Sequence, residues 1–479
     1  MVVAFAWLLT PPARAHLRVR AARGPVVNVT LTTHSLDAAL STMPHVWFTT
    51  ARVRAPTLHV NEAVRYQRML GFGGAMTDSS AWLLYEELSP AVRAFVMNRL
   101  FSTSDGIHLN LIRVPMGASD FSADGAPYSY DDMPAGESDP ALADFSIAHD
   151  EAYIIPSLRQ MLSIDPSIAI LSTEWSPPAW MKTNGAYNDL ADLGSLNPAD
   201  YQPLADYFVK FIQAYEAQGI PIWGVTPENE PNAVAAYPGM VFSPAQEGQF
   251  VSQNLAPALR AAGLNTLIFG GDQTSQLWYG QELMQTPAAA DLSGMAWHCY
   301  GGEQVMSQFH ALYPDEPELM TECSPGIIPY GAAEAAISAA RNSASSVDLW
   351  NLALDPSGGP VQPPDSGCGR CSGLVTVSEA RRPVKFNLSY FQLGQLSKFV
   401  EPGAQRISTE RWVSDFGTGP HSYGVTRGLD NVAFLDPDGT RALVAYNNSP
   451  AAIRFGVADH GERFSYRLPG RATVTFTWR

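Results

Sequence analysis

A chain of 479 residues, 46% hydrophobic, 16% charged and carrying a formal charge of −16, has the composition of a globular protein with one large domain and a smaller one. Its acidity excludes a nucleic-acid binder, which needs a basic footprint, and favours an uncharged partner. Four cysteines exclude a disulfide-built scaffold, and no apolar run reaches the roughly 18–20 residues of a membrane span.

In chain order, the first residues, MVVAFAWLLTPPARA, resemble the tail of a signal peptide without its charged start. Residues 1–20 are therefore expected to be a leader, and the protein to be secreted. Residues 25–66 read as strands (VVNVTLTT, VWFTTAR, TLHVNEAVRYQ) from their alternation and β-branched content. From 67 to 400 the pattern changes. Apolar segments of strand length recur: GFGGA (71–75), LNLIRVPM (109–116), AILSTEW (169–175), IWGVTPENE (222–230), TLIFGGD (266–272), GMAWHCY (294–300), ELMTECS (318–324) and VDLWNLAL (347–354). Each is followed by a helix-like stretch. LADYFVKFIQAYEAQG (204–219) spaces its apolar residues by three and four and ends on Gly, as a helix does; FNLSYFQLGQLSKFV (386–400) has similar spacing. Residues 401–479 return to short strands (SYGVTR, VAFLDPDGTRALVAYNN, RFGVA, RATVTFTW) broken by Asp-Gly, Asn-Asn and Pro-Gly turns.

Strand–helix units that are apolar on both faces, as buried parallel strands must be, predict an α/β fold. The expected architecture is a (β/α)8 TIM barrel with an appended β-sandwich built from both chain termini. A doubly wound sheet would carry GxGxxG after its first strand. GFGGAMTD (71–78) lacks that spacing, so no dinucleotide site is expected.

In such a barrel the chemistry sits at the carboxyl ends of the strands. There the sequence places Asp78, Arg113, Trp175, Asn229, Glu230, Asp272, His298, Tyr300, Glu322, Trp350 and Asn351. Polar groups at the ends of buried strands are costly unless paired or used; this many on one rim point to a site. Glu230 and Glu322 stand on the fourth and seventh strands, facing each other across the mouth. Paired carboxylates suit glycoside cleavage: one donates a proton to the leaving oxygen, and the other attacks the anomeric carbon. Glu228 shares a strand face with Glu230 by alternation, so periodicity does not choose between them; Glu230 is nearer the strand end. Arg113 reads as a buried partner that orients a carboxylate. Asp78 also suits a cap for a helix beginning near Ser79. Tyr237, six residues past Pro231, is not counted in the site. Cys368 and Cys371 form a CxxC in a Gly-rich loop and are expected to make a local disulfide. Cys299 and Cys323 sit alone in separate strands, so a zinc site lacks its second pair and no metal is expected.

These motifs together resemble glycoside hydrolase family 30, in particular its glucosylceramidase-like branch. The resemblance rests on GFGGAMTD (71–78), LIRVPM (111–116), WSPPAWMKTNGA (175–186), TPENEP (226–231), TEC (321–323), WNLALDPSGGP (350–360) and LSKFVEPGAQRI (396–407). It implies a retaining β-glycoside hydrolase that acts on β-glucosides, glucosylceramide-like or β-glucan, with no cofactor. Glu230 would be the acid/base and Glu322 the nucleophile. Asp78, Trp175, Asn229 and Trp350 would hold the sugar, with His298 and Tyr300 flanking the nucleophile. The loop VQPPDSGCGRC, with Asp365 where the family has Asn, departs from human-type glucosylceramidases. A β-1,6-glucanase and a β-xylosidase or β-fucosidase are the alternatives within the family. A carbohydrate-binding protein without catalysis is the alternative outside it, and the presence of both carboxylates argues against it.

Overall fold

A computed structural model of the chain describes residues 23–189, 191–328, 330–362, 370–378, 384–410 and 428–479. The expected leader (1–20), the SYGVTR segment, Asp365 and Cys368 lie outside the described residues.

All eight expected barrel strands form, and they pair in parallel: β1 (Gly71–Ala75), β2 (Leu111–Met116), β3 (Ala169–Glu174), β4 (Gly224–Thr226), β5 (Leu267–Ile268 and Gly270–Thr274), β6 (Met295–His298), β7 (Glu318–Glu322) and β8 (Ala344–Leu349). The two halves of β5 flank Phe269. The first pairs with β4 and the second with β6, so the sheet closes through this one broken strand. Gly73 on β1 is obligatory: a Cβ there would lie 1.5 Å from the Leu111 carbonyl oxygen and 2.6 Å from Asp348 Oδ1.

Leu171, Phe269, Ala296 and Leu319, from four strands, form an apolar cluster. By alternation Leu171, Ala296 and Leu319 share a face with Thr173, His298 and Thr321, two residues nearer the carboxyl ends. The barrel therefore changes from apolar to polar along its axis. On β7 the register slips by one residue, Trp297 opposing Met320 while His298 opposes Glu322. The extra residue is Thr321, and such a bulge re-aims neighbouring side chains. It lets Thr321 and Glu322 both reach the polar layer.

The helix Tyr201–Ala217 buries Tyr201, Leu204, Ala205, Phe208, Phe211, Ile212 and Tyr215, the stripe its sequence spacing requires. Each large side chain so buried contributes about 1.5–3 kcal/mol. Gly219, at φ +78°, provides the left-handed turn that ends it. The expected last strand, 347–354, is in fact two: β8 stops at Leu349, and Ala353–Leu354 joins a separate three-stranded sheet with Val375–Val377 and Val384–Phe386.

The sandwich is a ten-stranded sheet that takes strands from both termini. Its two edge strands, Thr57–His59 and Asn61–Arg68, are separated in sequence by Val60 alone, so the sheet must fold back on itself. Val27, Val29, Phe48, Leu58, Phe455, Phe476 and Trp478 lie in the enclosed core. The strands Gln405–Ser408 and Glu462–Leu468 were not anticipated. Gln395, on the barrel helix Leu388–Ser397, donates to Thr32 Oγ1 (2.8 Å), and its carbonyl accepts from Thr475 Oγ1 (2.6 Å). One barrel helix thus binds the first and last strands of the sandwich.

Candidate active site

The polar layer is built on Asp272 and Arg113, both fully buried. Asp272 Oδ2 accepts from Arg113 Nη2 (2.7 Å), Thr226 Oγ1 (2.8 Å) and Thr173 Oγ1 (3.2 Å). Its Oδ1 accepts from Thr321 Oγ1 (2.5 Å) and lies 3.2 Å from His298 Nε2. Burial pushes the Asp272 carboxyl up, but Arg113 and His298 outweigh it and hold it far below the usual carboxylate range. Every nitrogen of Arg113 donates: Nε bonds Thr173, Nη2 bonds Asp272 and Asn229 Oδ1 (2.7 Å), and Nη1 bonds Glu322 Oε2 at 2.6 Å. A planar guanidinium fork with every arm used is a rigid carboxylate holder.

Above this platform stand Glu230 and Glu322. Glu322 Oε1 accepts from the Tyr300 hydroxyl at 3.0 Å. Glu230 Oε2 accepts from the Tyr237 hydroxyl (2.9 Å), and its Oε1 lies 2.9 Å from His298 Nδ1. One ligand atom each of Glu230, His298 and Glu322 lie within 4.8 Å of one another. Such a trio could accept a divalent cation. Each of the four carboxylate oxygens also meets one protein donor, from Arg113, Tyr300, His298 and Tyr237. Burial disfavours a charged His298, but the Glu322 charge and the bonds to Asp272 and Glu230 push its pKa up to about 10. Burial pushes Glu230 up, but the His298 bond and charge, Tyr237 and Arg113 leave it below its ordinary value. At rest, therefore, the proton of this pair sits on the imidazole, 2.9 Å from the Glu230 oxygen that would need it.

The backbone gives Glu228 and Glu230 different surroundings. Strand β4 ends at Thr226, so alternation does not extend to either glutamate, and Glu230 adopts φ +48°. Glu228 turns away: its Oε1 accepts from Met240 N (2.9 Å), and its neighbours include Lys182, Glu174 and Asp189. Asn229 Oδ1 is held by Arg113, which leaves Nδ2 as its donor. Trp175 and Trp350 stack on each other at 5.3 Å, with the Arg113 guanidinium 4.5 Å from the Trp175 ring and Phe121 edge-on to Trp350. They are 1% and 3% exposed.

Asp78, the expected sugar holder, is buried just after β1. Its oxygens accept from Ala123 N (2.7 Å), Tyr153 OH (3.0 Å) and Tyr128 OH (3.1 Å), and Oδ1, with one bond, keeps an acceptor position. It is not the helix cap; Thr77 caps that helix through Ser80 N. By holding Ala123, Asp78 fixes the loop that carries Asp120 and Phe121. Asp120 is a site residue the sequence did not disclose. Burial first, and then the charges of Glu322 and Glu230, push its carboxyl well above the usual range. Tyr237, left out of the predicted site, bonds Glu230 directly.

Cys299 and Cys323 do not stand alone. They are bridged, with Cα atoms 5.2 Å apart, because β6 and β7 are neighbours and each cysteine follows one of the opposed residues His298 and Glu322. Cys371 is also disulfide-bonded.

The glycosyl hydrolase family 30 TIM-barrel model matches residues 69–399, and the family 30 β-sandwich model matches 403–476. An endo-1,6-β-D-glucanase of Trichoderma harzianum is 34% identical over 426 residues, 86% of this chain and 84% of that protein. The lysosomal acid glucosylceramidase of Mus musculus is 30% identical over 451 residues, 87% of this chain and 82% of that one. The solved structure of the endo-β1,6-glucanase BT3312 superposes with a TM-score of 0.81 at 32% identity, covering 95% of this chain and 99% of that one. The chain belongs to glycosyl hydrolase family 30 and is a glycosidase built as a TIM barrel with a β-sandwich.

Proposed function

We propose that the protein hydrolyses β-1,6-linked glucan with retention of configuration, with Glu322 as nucleophile and Glu230 as acid/base. The observation that carries this reading is the approach of the two carboxylates, whose near oxygens are within 4.8 Å. Retaining enzymes hold the pair about 5–5.5 Å apart, whereas inverting ones leave about 6.5–9.5 Å for a water. The glucan assignment is supported by the likeness to endo-1,6-β-glucanases in sequence and in structure.

In the first step the His298 proton passes along the 2.9 Å contact to Glu230, and Glu230 gives it to the departing oxygen. Glu322, oriented by Arg113 and Tyr300, forms the bond to the anomeric carbon. This ester neutralises the charge that most strongly favours a protonated His298, so the imidazole loses basicity as the intermediate forms. Water then attacks, Glu230 takes its proton, and the ester breaks. Asn229 Nδ2, Asp120 and the Trp175–Trp350 pair are assigned to the sugar; Asp78 acts through the Asp120 loop.

A panel of a linear β-1,6-glucan, glucosylceramide, an aryl β-glucoside and an aryl β-xyloside tests the assignment, with proton NMR of the first-formed anomer. Fastest turnover of the glucan to β-anomeric product is expected. Preference for glucosylceramide would move the substrate to the lipid, and an α-anomer first would refute retention. No turnover of any substrate would favour a carbohydrate-binding protein. We also propose that the protein is exported, since its buried Cys299–Cys323 bridge suits an oxidising compartment; recovery only from the cytosol of its native cells would contradict this.

A further inference from the structure

The sandwich contains a cavity of about 670 Å³ whose lining includes His45, Arg52, Arg54, Arg454, Arg463 and Ser465, with no carboxylate among the described residues that form it. This is anomalous in a chain of net charge −16. None of these arginine side chains makes an ion pair or hydrogen bond to a described residue, and Arg463 Nε is buried with no partner. Arg454 directly opposes Arg467 across the hairpin, a like-charge juxtaposition that costs stability. Arg52, Arg54 and Arg454 are exposed along this lining, and their planar forks match carboxylate, sulfate and phosphate oxygens.

We infer that this cavity binds the anionic groups of an acidic polysaccharide, a function separate from glucoside cleavage. The volume lies within the range of about 300–1,000 Å³ usual for small-ligand sites. The cationic groups line a concavity, which admits a charged sugar unit but which a flat lipid surface does not fill. The inference does not depend on the proposed hydrolysis, because no residue of the catalytic site lines the cavity.

The test uses the full chain, isothermal titration calorimetry, and four probes: polygalacturonate, dextran sulfate, neutral dextran, and vesicles of phosphatidylglycerol and phosphatidylcholine. Binding to one or both anionic polymers, weakening with salt, and no binding to neutral dextran are expected. Arg454→Gln/Arg463→Gln and Arg52→Gln/Arg54→Gln should each lose about tenfold or more in affinity, since each removes charge-assisted hydrogen bonds to the anion. Aryl glucoside hydrolysis should be unchanged in both, which confirms folding. Whether polygalacturonate or dextran sulfate binds more tightly identifies the anion as carboxylate or sulfate. No binding of either polymer, equal binding by the double variants, or tighter binding to the vesicles would overturn the inference.

Discussion

Replacing Asp272 by Asn tests the idea that a fully buried carboxylate sets the protonation of the catalytic pair without touching substrate. Both Asp272 oxygens accept only from protein donors, Arg113, Thr173, Thr226, Thr321 and His298. An amide would aim a donor at donors and remove the charge between Arg113 and His298. Breaking a buried ion pair costs about 3–5 kcal/mol, which in a barrel of roughly 330 residues lowers Tm by about 4–7 °C. The diagnostic effect is on the pH profile. His298 has its pKa raised from 6.5 to about 10, so its proton is present at neutral pH and is lost only as pH rises through the folded value. Losing one charge-assisted bond of about 1.5–3 kcal/mol lowers that value by about one to two units. The basic limb of kcat/KM for an aryl β-glucoside, measured from pH 4 to 11, should shift down by that amount. Thr321→Val, which removes one donor from the Oδ1 atom that faces His298, should leave a folded enzyme and alter the same limb by a smaller amount. An unmoved basic limb in folded Asp272→Asn would refute the electrostatic argument, whatever happened to Tm.

Glu230→Gln should lower kcat about 10²–10⁴-fold on substrates with poor leaving groups and far less on a dinitrophenyl glucoside; equal losses on both would contradict the acid role. Stability should also depend on pH. Burial pushes Glu318 up to about 9, Glu334 to about 8, and Glu303 and Glu247 to about 7, from an ordinary value of 4.5. The folded chain keeps protons that the unfolded chain releases above pH 4.5, so stability is fullest below that value and declines as pH rises through 7 to 9. Tm at pH 5 should exceed Tm at pH 8 at equal ionic strength; the reverse order would contradict this. Glu318→Gln can still accept the Trp297 indole N–H and should raise Tm at pH 8 but not at pH 5; no gain at pH 8 would show that Glu318 is not the burdened group.

The barrel was legible because its strands are continuous apolar runs, and Glu322, Arg113 and His298 could be read as strand-end residues. Asp120 and Tyr237 could not, because they lie in loops after β2 and β4, where no period links sequence to direction. Glu230 was separated from Glu228 only by the early end of β4 and a left-handed backbone, neither of which alternation can reveal. The Cys299–Cys323 bridge was recoverable in principle: each cysteine follows a strand-end site residue, and the sixth and seventh strands of a barrel are neighbours. The protein partners of Asp78 could not be read, because a conspicuous carboxylate after β1 says nothing of Tyr128 and Tyr153, which bond it from 50 and 75 residues away.

Retention through Glu322 requires a covalent bond between its carboxylate and the sugar. Incubation with 2-deoxy-2-fluoro-β-glucosyl fluoride, followed by proteolysis and mass spectrometry, should show one fluoroglucosyl unit on the peptide carrying Glu322 and loss of activity in step with labelling. A label on Glu230 or Asp120 instead, or inactivation without any covalent adduct, would contradict it.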